Sequence, residues 1–486
     1  MPKITNIVFL TCTGESVGLA IKAKREGLDV VWATVENYGD MRTSVEAEGK
    51  PEDPEEKRRR LSLLDGFGIK KTSAADAVAR WKRMAKKNRA STFVFTDMSH
   101  CWKYAQELRG LGFPGIFPTE EERILEVSRD KMKEIVEKEY PALTVGEEHR
   151  FDTVEDGIEF LEDTEDVWCL KGFDEDCTTH VPRTPDAEVA KKQVVKQLRK
   201  ENNLYEKSGY ILEKKILDAI EITPQVCFVA GKPVYASVDI ELKPTFDGNL
   251  GRLCGCSADL VFPVPLDSEI VKMITPPWVH DRAKKNRGIF FWDASILFDP
   301  KDGTPYFGEV CANRPGWNSF YDEVAMAPSF TSYIQALADG EDPYAGTHHP
   351  FASSIRLFNF SKDKKTGKDG AEGETLYFDP DWQDGHLWQM DVRMEKGEVV
   401  SCGYGKDLAV LTGMGEYPED AIDDIFGTLD DITFDGLVHR TKGDLLNPGY
   451  QSGLLERYGY AVSRGLFRSE KNLAAERTNM AIARNQ

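Results

Sequence analysis

Glu309, Cys311 and Asn313 fall at alternate positions of the stretch GEVCANRPGWN. Alternate residues of an extended strand share a face. The spacing therefore sets a carboxylate and an amide oxygen, ligand types for a hard cation, on one side of a strand end. The stretch follows IFFWDASILFDPKDGTPYF, two apolar runs joined by a turn, and breaks at Arg314-Pro315-Gly316. An ordinary buried strand end is the plain alternative. Residues suited to phosphate recur upstream. Lys131 sits early in the helical segment SRDKMKEIVEKEYP, and Lys171 ends the β-rich run VWCLK. Two lysines from different elements can neutralise phosphate oxygens as point charges. The run ILEKKI, residues 211–216, can offer backbone N–H and C=O groups to a purine between Leu212 and Ile216. Glu221, five residues on, can accept ribose hydroxyls. A Gly-rich loop, 247–255, completes the series. Together these residues describe an ATP site, with Mg2+ or Mn2+ held by Glu309 and Asn313 against the phosphates.

The elements that must position them can be read from the pattern. Asn6–Leu10 reads as a strand, TCTGES as a small-residue loop, Val17–Glu26 as a helix and DVVWATV as a second strand. Residues 92–96 give another strand, and an N-terminal α/β domain closes at 1–118. Residues 119–345 form a second domain, with a small subdomain at about 142–212 and a hairpin turning at Gly231-Lys232. Residues 346–486 form the third. It opens with a polar segment, 361–374, expected to be mobile, and carries a helix over Pro418–Leu429.

The chain has 486 residues, 41% of them hydrophobic, enough for several packed cores at roughly 100–200 residues per domain. Its net charge of -20 argues against a nucleic-acid backbone as partner. No apolar run approaches the ~20 residues of a membrane span. Nine cysteines, an odd number without a CxxC pair, fit a reducing compartment better than a disulfide framework. These features lead us to expect a soluble, cytoplasmic protein, monomeric or a small homo-oligomer, acting on small molecules.

The order of these features resembles the ATP-grasp superfamily, and within it the phosphoribosylamine–glycine ligases, over almost the whole chain. GIFPTEEERILEVSRDKMKEIV is similar to that family's GPT…LEGSK…K segment, and WCLKGFD to its VIKADG strand. YILEKKILDAIEIT is similar to VIEEFLDGEEAS, and DPKDGTPYFGEVCANRPG to DKQGNPKVIEFNCRFG. The resemblance implies a multi-domain α/β fold with an open N-terminal domain, an ATP-grasp domain and a small C-terminal domain. It implies Lys131 and Lys171 on the ATP phosphates, Lys171 with a catalytic share, and Glu213, Lys214, Lys215 and Ile216 as the adenine edge. It implies Glu221 on ribose, Glu309 and Asp293 on the metal, and Arg314 on the substrate carboxylate or the transferring phosphoryl group. The activity implied is an ATP- and Mg2+-dependent carboxylate–amine ligase of purine biosynthesis, forming an acyl phosphate from glycine and joining it to phosphoribosylamine. Three departures stand out. Cys311 replaces the family's metal-binding asparagine, the arginine is shifted, and the loop after Lys171, GFDEDCTTHVPRTPD, is acidic and nearly free of glycine. They keep open a ligase for another amino acid and amine, phosphorylated or not, and a non-catalytic nucleotide-binding relative acting as an interaction module.

Overall fold

The computed structural model describes residues 2–35, 53–173, 179–313, 316–347, 349–378, 387–447 and 452–469. The N-terminal strands are β1 (Asn6–Thr11), β2 (Asp29–Thr34), β3 (Lys70–Ser73) and β4 (Thr92–Thr96), a parallel sheet of order β3-β2-β1-β4. The sequences NIVFLT and TFVFT are nearly continuous apolar runs because both faces of the sheet are covered. Ile7 and Phe9 pack into one core, while Val8 and Leu10 pack into another. β1, β2 and β4 each end in threonine, and the loops carrying Glu15 and Asp97 begin at that edge, after β1 and β4.

Three further strands, β5 (Glu148–Phe151), β6 (Trp168–Gly172) and β7 (Tyr210–Lys214), form an antiparallel sheet of order β5-β7-β6. It has its own core, built from Trp168, Leu170, Leu198, Tyr205, Tyr210 and Leu212. The helix Val154–Glu162 approaches closely through Gly157, where a Cβ would lie 2.0 Å from the Tyr210 hydroxyl.

The largest sheet has nine strands. They are β8 (Ile220–Val229), β9 (Lys232–Phe246), β10 (Leu250–Val264), β11 (Ile289–Phe298), β12 (Pro305–Ala312), β13 (Phe351–Asn359), β14 (Leu387–Gln389), β17 (Asp407–Gly415) and β18 (Leu437–Val438). A separate ribbon pairs β15 (Val392–Glu395) with β16 (Glu398–Ser401). The large sheet runs β12-β11-β8-β9-β10-β13-β17-β14, with β18 on β13. Because β13 pairs with β10, it continues through residue 346 without a break. The β8–β9 hairpin turns at Ala230-Gly231, one residue earlier than the sequence suggests. The Gly-rich stretch is not a free loop: 247–249 tips the long β9–β10 hairpin, whose register shifts between Leu250 and Ala258. Nor is 361–374 loose. Buried Asp363 accepts from the backbone N–H groups of Lys365 and Thr366 and pairs with Arg59 at 2.9 Å. The helix Pro418–Leu429 forms over the expected span.

Candidate active site

One face of the large sheet is polar across six strands. The register places Glu221, Thr223 and Gln225 of β8 beside Ser237, Asp239 and Glu241 of β9. Asp259 of β10 stands opposite Glu241, and Ser354 of β13 opposite Asp259. On the other flank Asp293 of β11 faces Cys311 of β12, with Glu309 two residues away on the same strand. The opposite face is apolar core, so period-two alternation alone aims this row of oxygens one way.

Lys243 ties the row together. Its Nζ lies 2.7 Å from Glu221 Oε1, 2.8 Å from Glu309 Oε1 and 3.6 Å from Glu241 Oε2. That ammonium holds the Glu309 carboxyl at about 2, well below the usual carboxylate range. Burial pushes Glu241 up to about 7 despite Lys243, with Glu221 and Glu309 adding to the rise. Glu221, expected on ribose, is thus paired with Lys243 at the sheet.

Position 308 explains how Glu309 is aimed. A Cβ there would lie 2.2 Å from Ser295 Oγ. Without one, the Ser295 hydroxyl reaches the Glu309 N–H at 3.0 Å across a register shift between Ala294 and Ile296.

The two lysines expected on phosphate are separated in role. Lys171 ion-pairs with Glu213 Oε1 at 2.5 Å. The partner from the helix Arg129–Glu139 is Lys133, which reaches Glu213 Oε2 at 2.5 Å and also Glu148. Burial alone would raise the Glu213 carboxyl, but the two ammonium groups hold it at about 2. Arg129, four residues before Lys133, adds positive charge near Glu309. Residues four apart share a helix face and residues two apart do not. Lys131 is accordingly exposed, off the face that carries Arg129 and Lys133. A cleft of about 160 Å3 opens between this helix and β12, lined by Arg129, Lys133, Glu309 and Cys311. A larger hollow of about 570 Å3, with Lys362, Glu372 and Arg393 in its wall, holds none of the sequence-predicted residues.

Part of the expected adenine edge is engaged within the fold. Glu213 and Lys214 lie in β7, the middle strand of its sheet, paired on both sides. The Lys214 and Lys215 N–H groups donate to the Glu147 and Val167 carbonyls. Side chains there are engaged too, Lys214 with Asp166 at 2.6 Å and Lys215 with the Pro182 carbonyl at 2.6 Å. Ile216 lies just beyond, where the chain has left the strand.

Asn313 does not join Glu309. Its φ of 55° puts it in the left-handed region and ends the strand alternation at Ala312. Fully buried, its amide nitrogen donates to the Phe117 carbonyl and to Glu122 Oε2, both at 2.9 Å. It fastens the strand end to the segment 117–122 and is not turned toward a cation at Glu309. Arg314 lies outside the described residues. Glu309 and Asp293 are two carboxylates on the face where a metal would sit. Mg2+ is commonly held by one or two carboxylates with phosphate oxygens, so this pair fits the ion, and Cys311 between them adds little for a hard cation. Among the described residues, no three His, Cys, Asp or Glu side chains are placed to hold a metal by themselves.

Lys133, Lys243, Asp239 and Asp322 were not singled out from the sequence. Only the helical periodicity of SRDKMKEIV could have favoured Lys133 over Lys131. The others meet through sheet register and helix packing, which leave no local signal.

No protein-family model matches the chain, and no curated protein matches it. Solved structures do. Phosphoribosylamine–glycine ligase from Thermotoga maritima superposes with a TM-score of 0.58 at 15% identity, covering 90% of this chain and 99% of that one. The biotin carboxylase domain of 2-oxoglutarate carboxylase from Hydrogenobacter thermophilus, in complex with MgADP, ADP and bicarbonate, gives 0.57 at 14%, covering 95% and 99%. L-amino acid ligase from Bacillus licheniformis gives 0.50 at 14%, covering 91% and 100%. Among the described residues no helix is long and apolar enough to cross a membrane. With its open N-terminal domain, central cleft sheet and small C-terminal part, the chain has the ATP-grasp fold.

Proposed function

We propose that this protein is an ATP- and Mg2+-dependent ligase that joins a carboxylate to an amine through an acyl phosphate. One observation carries the reading. Cations from three separate elements hold two carboxylates ionised, Lys133 and Lys171 on Glu213 and Lys243 on Glu309, and Lys171 lowers the Glu309 carboxyl as well. A triphosphate entering there can take over those ion pairs without recruiting new charge. In the reaction a carboxylate oxygen of the acid attacks the γ-phosphorus and the bond to ADP breaks. The amine then attacks the acyl carbon, inorganic phosphate leaves, and the surplus ammonium proton passes to solvent. The protein supplies position and charge. Mg2+ held by Glu309 and Asp293 would supply further charge neutralisation at the phosphates. By the resemblance, Lys171 and Arg314 meet the transferring phosphoryl group.

Glycine with phosphoribosylamine is the substrate pair that the resemblance implies, and the similarity in fold to phosphoribosylamine–glycine ligase is in keeping with it. A second reading, another amino acid with another amine, is favoured by the acidic character of the polar face. ADP formation with Mg2+ against a panel of amino acids, with and without phosphoribosylamine generated in situ, tests both. Turnover that disappears in Glu309→Ala is expected. Tight nucleotide binding with no turnover on any acid would favour the non-catalytic alternative and direct attention to Cys311.

A further inference from the structure

We propose that Arg440, a wholly buried side chain that does not line the cleft, is a positioning residue for the ligase: it fixes the backbone around Lys243 and so aims the ammonium that meets phosphate. The inference rests on the ligase reading and deepens it. Lys243 lies opposite a break in strand pairing. Between the register pairs Pro244–Leu253 and Leu242–Ala258, β9 advances by two residues and β10 by five. Such a bulge disrupts the ladder locally, and bulges next to active sites re-aim side chains. A buried carbonyl left without a donor is costly, and side chains supply the donors here. The Ser257 hydroxyl lies 2.6 Å from the Leu242 carbonyl and 2.8 Å from that of Pro244. The Cys254 thiol donates to the Lys243 carbonyl at 3.3 Å. Arg440 donates to the Pro244 carbonyl twice, from Nη2 at 2.7 Å and from Nε at 3.2 Å.

Arg440 also joins the parts of the hairpin to one another. Its Nε donates to Ser257 Oγ at 2.8 Å, its Nη2 to Asn249 Oδ1 at 2.8 Å, and its Nη1 pairs with Asp444. Asp444 in turn accepts from the Gly248 N–H at 2.6 Å. One rigid fork thus holds both strands and the tip, which a lysine at 440 could not span. All three guanidinium nitrogens are engaged in this way, so Arg440 acts on a ligand only through Lys243. Two more buried arginines from the C-terminal part brace the same stretch. Arg457 donates to the Glu241 carbonyl at 2.7 Å and Arg356 to the Cys254 carbonyl at 3.0 Å.

Lys243 needs such an anchor because its stem is flexible and three carboxylates, of Glu221, Glu309 and Glu241, lie within 3.6 Å of its Nζ. The position of the backbone decides which of them it reaches, and a displacement of about 1 Å is enough to spoil a catalytic contact. Thr441, the next residue along, supplies a contrast. Its N–H and hydroxyl donate to the Asp247 carboxylate at 3.0 and 2.8 Å, at the hairpin tip and not at residues 242–244.

The test is calorimetric titration of the full-length protein with Mg·ADP, run as a double-mutant cycle. Lys243→Met should weaken binding by about tenfold, the order of one charge-assisted contact. Arg440→Lys, which keeps the charge beside Asp444, and Ser257→Ala should each weaken it by roughly three- to tenfold. Neither should weaken it further once Lys243 is methionine, because residues that act through one group are not additive. Thr441→Val should bind Mg·ADP as the native protein does. Ser257→Ala decides the matter if Arg440→Lys does not fold. The proposal is overturned if Ser257→Ala and a folded Arg440→Lys bind as tightly as the native protein, or if their losses recur in full on Lys243→Met, the mark of a general structural defect. It is also overturned if Thr441→Val loses as much as they do, or if Lys243→Met itself binds normally. Failure of the native protein to bind Mg·ADP at all would remove the ligase reading, and this inference with it.

Discussion

At the scale of single residues, the helix face decides which lysine matters. Lys133→Met removes one of two cations on Glu213 and should weaken Mg·ADP binding by roughly tenfold, the order of one charge-assisted contact. Lys131→Met should leave it unchanged, since that side chain is exposed on another face. Calorimetric titration of both variants checks the contrast. Asn313 gives the opposite kind of prediction. Its side chain spans the Phe117 carbonyl and Glu122, so Asn313→Ala should cost about 2 kcal/mol of stability, as expected for breaking a buried hydrogen-bonded group. Metal dependence of nucleotide binding should not change, and denaturant unfolding beside an Mg2+ titration reads both. The sequence showed Glu309 and Asn313 two positions apart on each side of Cys311. It could not show that φ at Asn313 turns positive and sends the amide to another wall.

At the scale of elements, the strands are legible where both faces or one face are uniform. NIVFLT and TFVFT read as buried strands, and Pro418–Leu429 reads as a helix because a proline opens it and its apolar residues follow a 3.6 period. The Gly-rich stretch and the polar segment 361–374 misled because composition reports solubility and not tethering. Long-range pairing with β9 and one buried aspartate, Asp363, ordered them. Nothing local says that β7, which carries Glu213 and Lys214 of the expected adenine edge, is a middle strand. The approach of β12 to β11 carries its own test. Gly308→Ala would force Ser295 aside, and with it the N–H contact that aims Glu309. ADP formation should fall at least tenfold while the far-UV spectrum stays unchanged, a loss typical of misplacing a ligand by about 1 Å.

At the scale of the molecule, the polar face was invisible in the sequence. Its carboxylates come from β8, β9, β10, β11, β12 and the helix Trp317–Met326, brought together by a nine-stranded sheet. This arrangement predicts a pH dependence. Asp239, Asp259 and Asp322 are raised by burial, and Glu241 reaches about 7. Between the ordinary carboxylate range and about pH 7 the folded chain therefore retains protons that the unfolded chain has released. Stability must then fall as pH rises through that window. The depressed Glu213 and Glu309 act oppositely, but only as pH falls from about 4.5 toward about 2. Thermal melting should show a transition roughly 2–4 °C lower at pH 7.5 than at pH 5, and Asp239→Asn should flatten the difference. The central claim is acyl-phosphate chemistry in this cleft, and oxygen transfer tests it most directly. The amino acid that supports turnover is supplied with 18O in its carboxylate, and the released inorganic phosphate is weighed by mass spectrometry. One 18O per phosphate, absent with Glu309→Ala, is the predicted result. Unlabelled phosphate formed at the full rate would mean that water, not the carboxylate, attacks ATP, and would contradict the account.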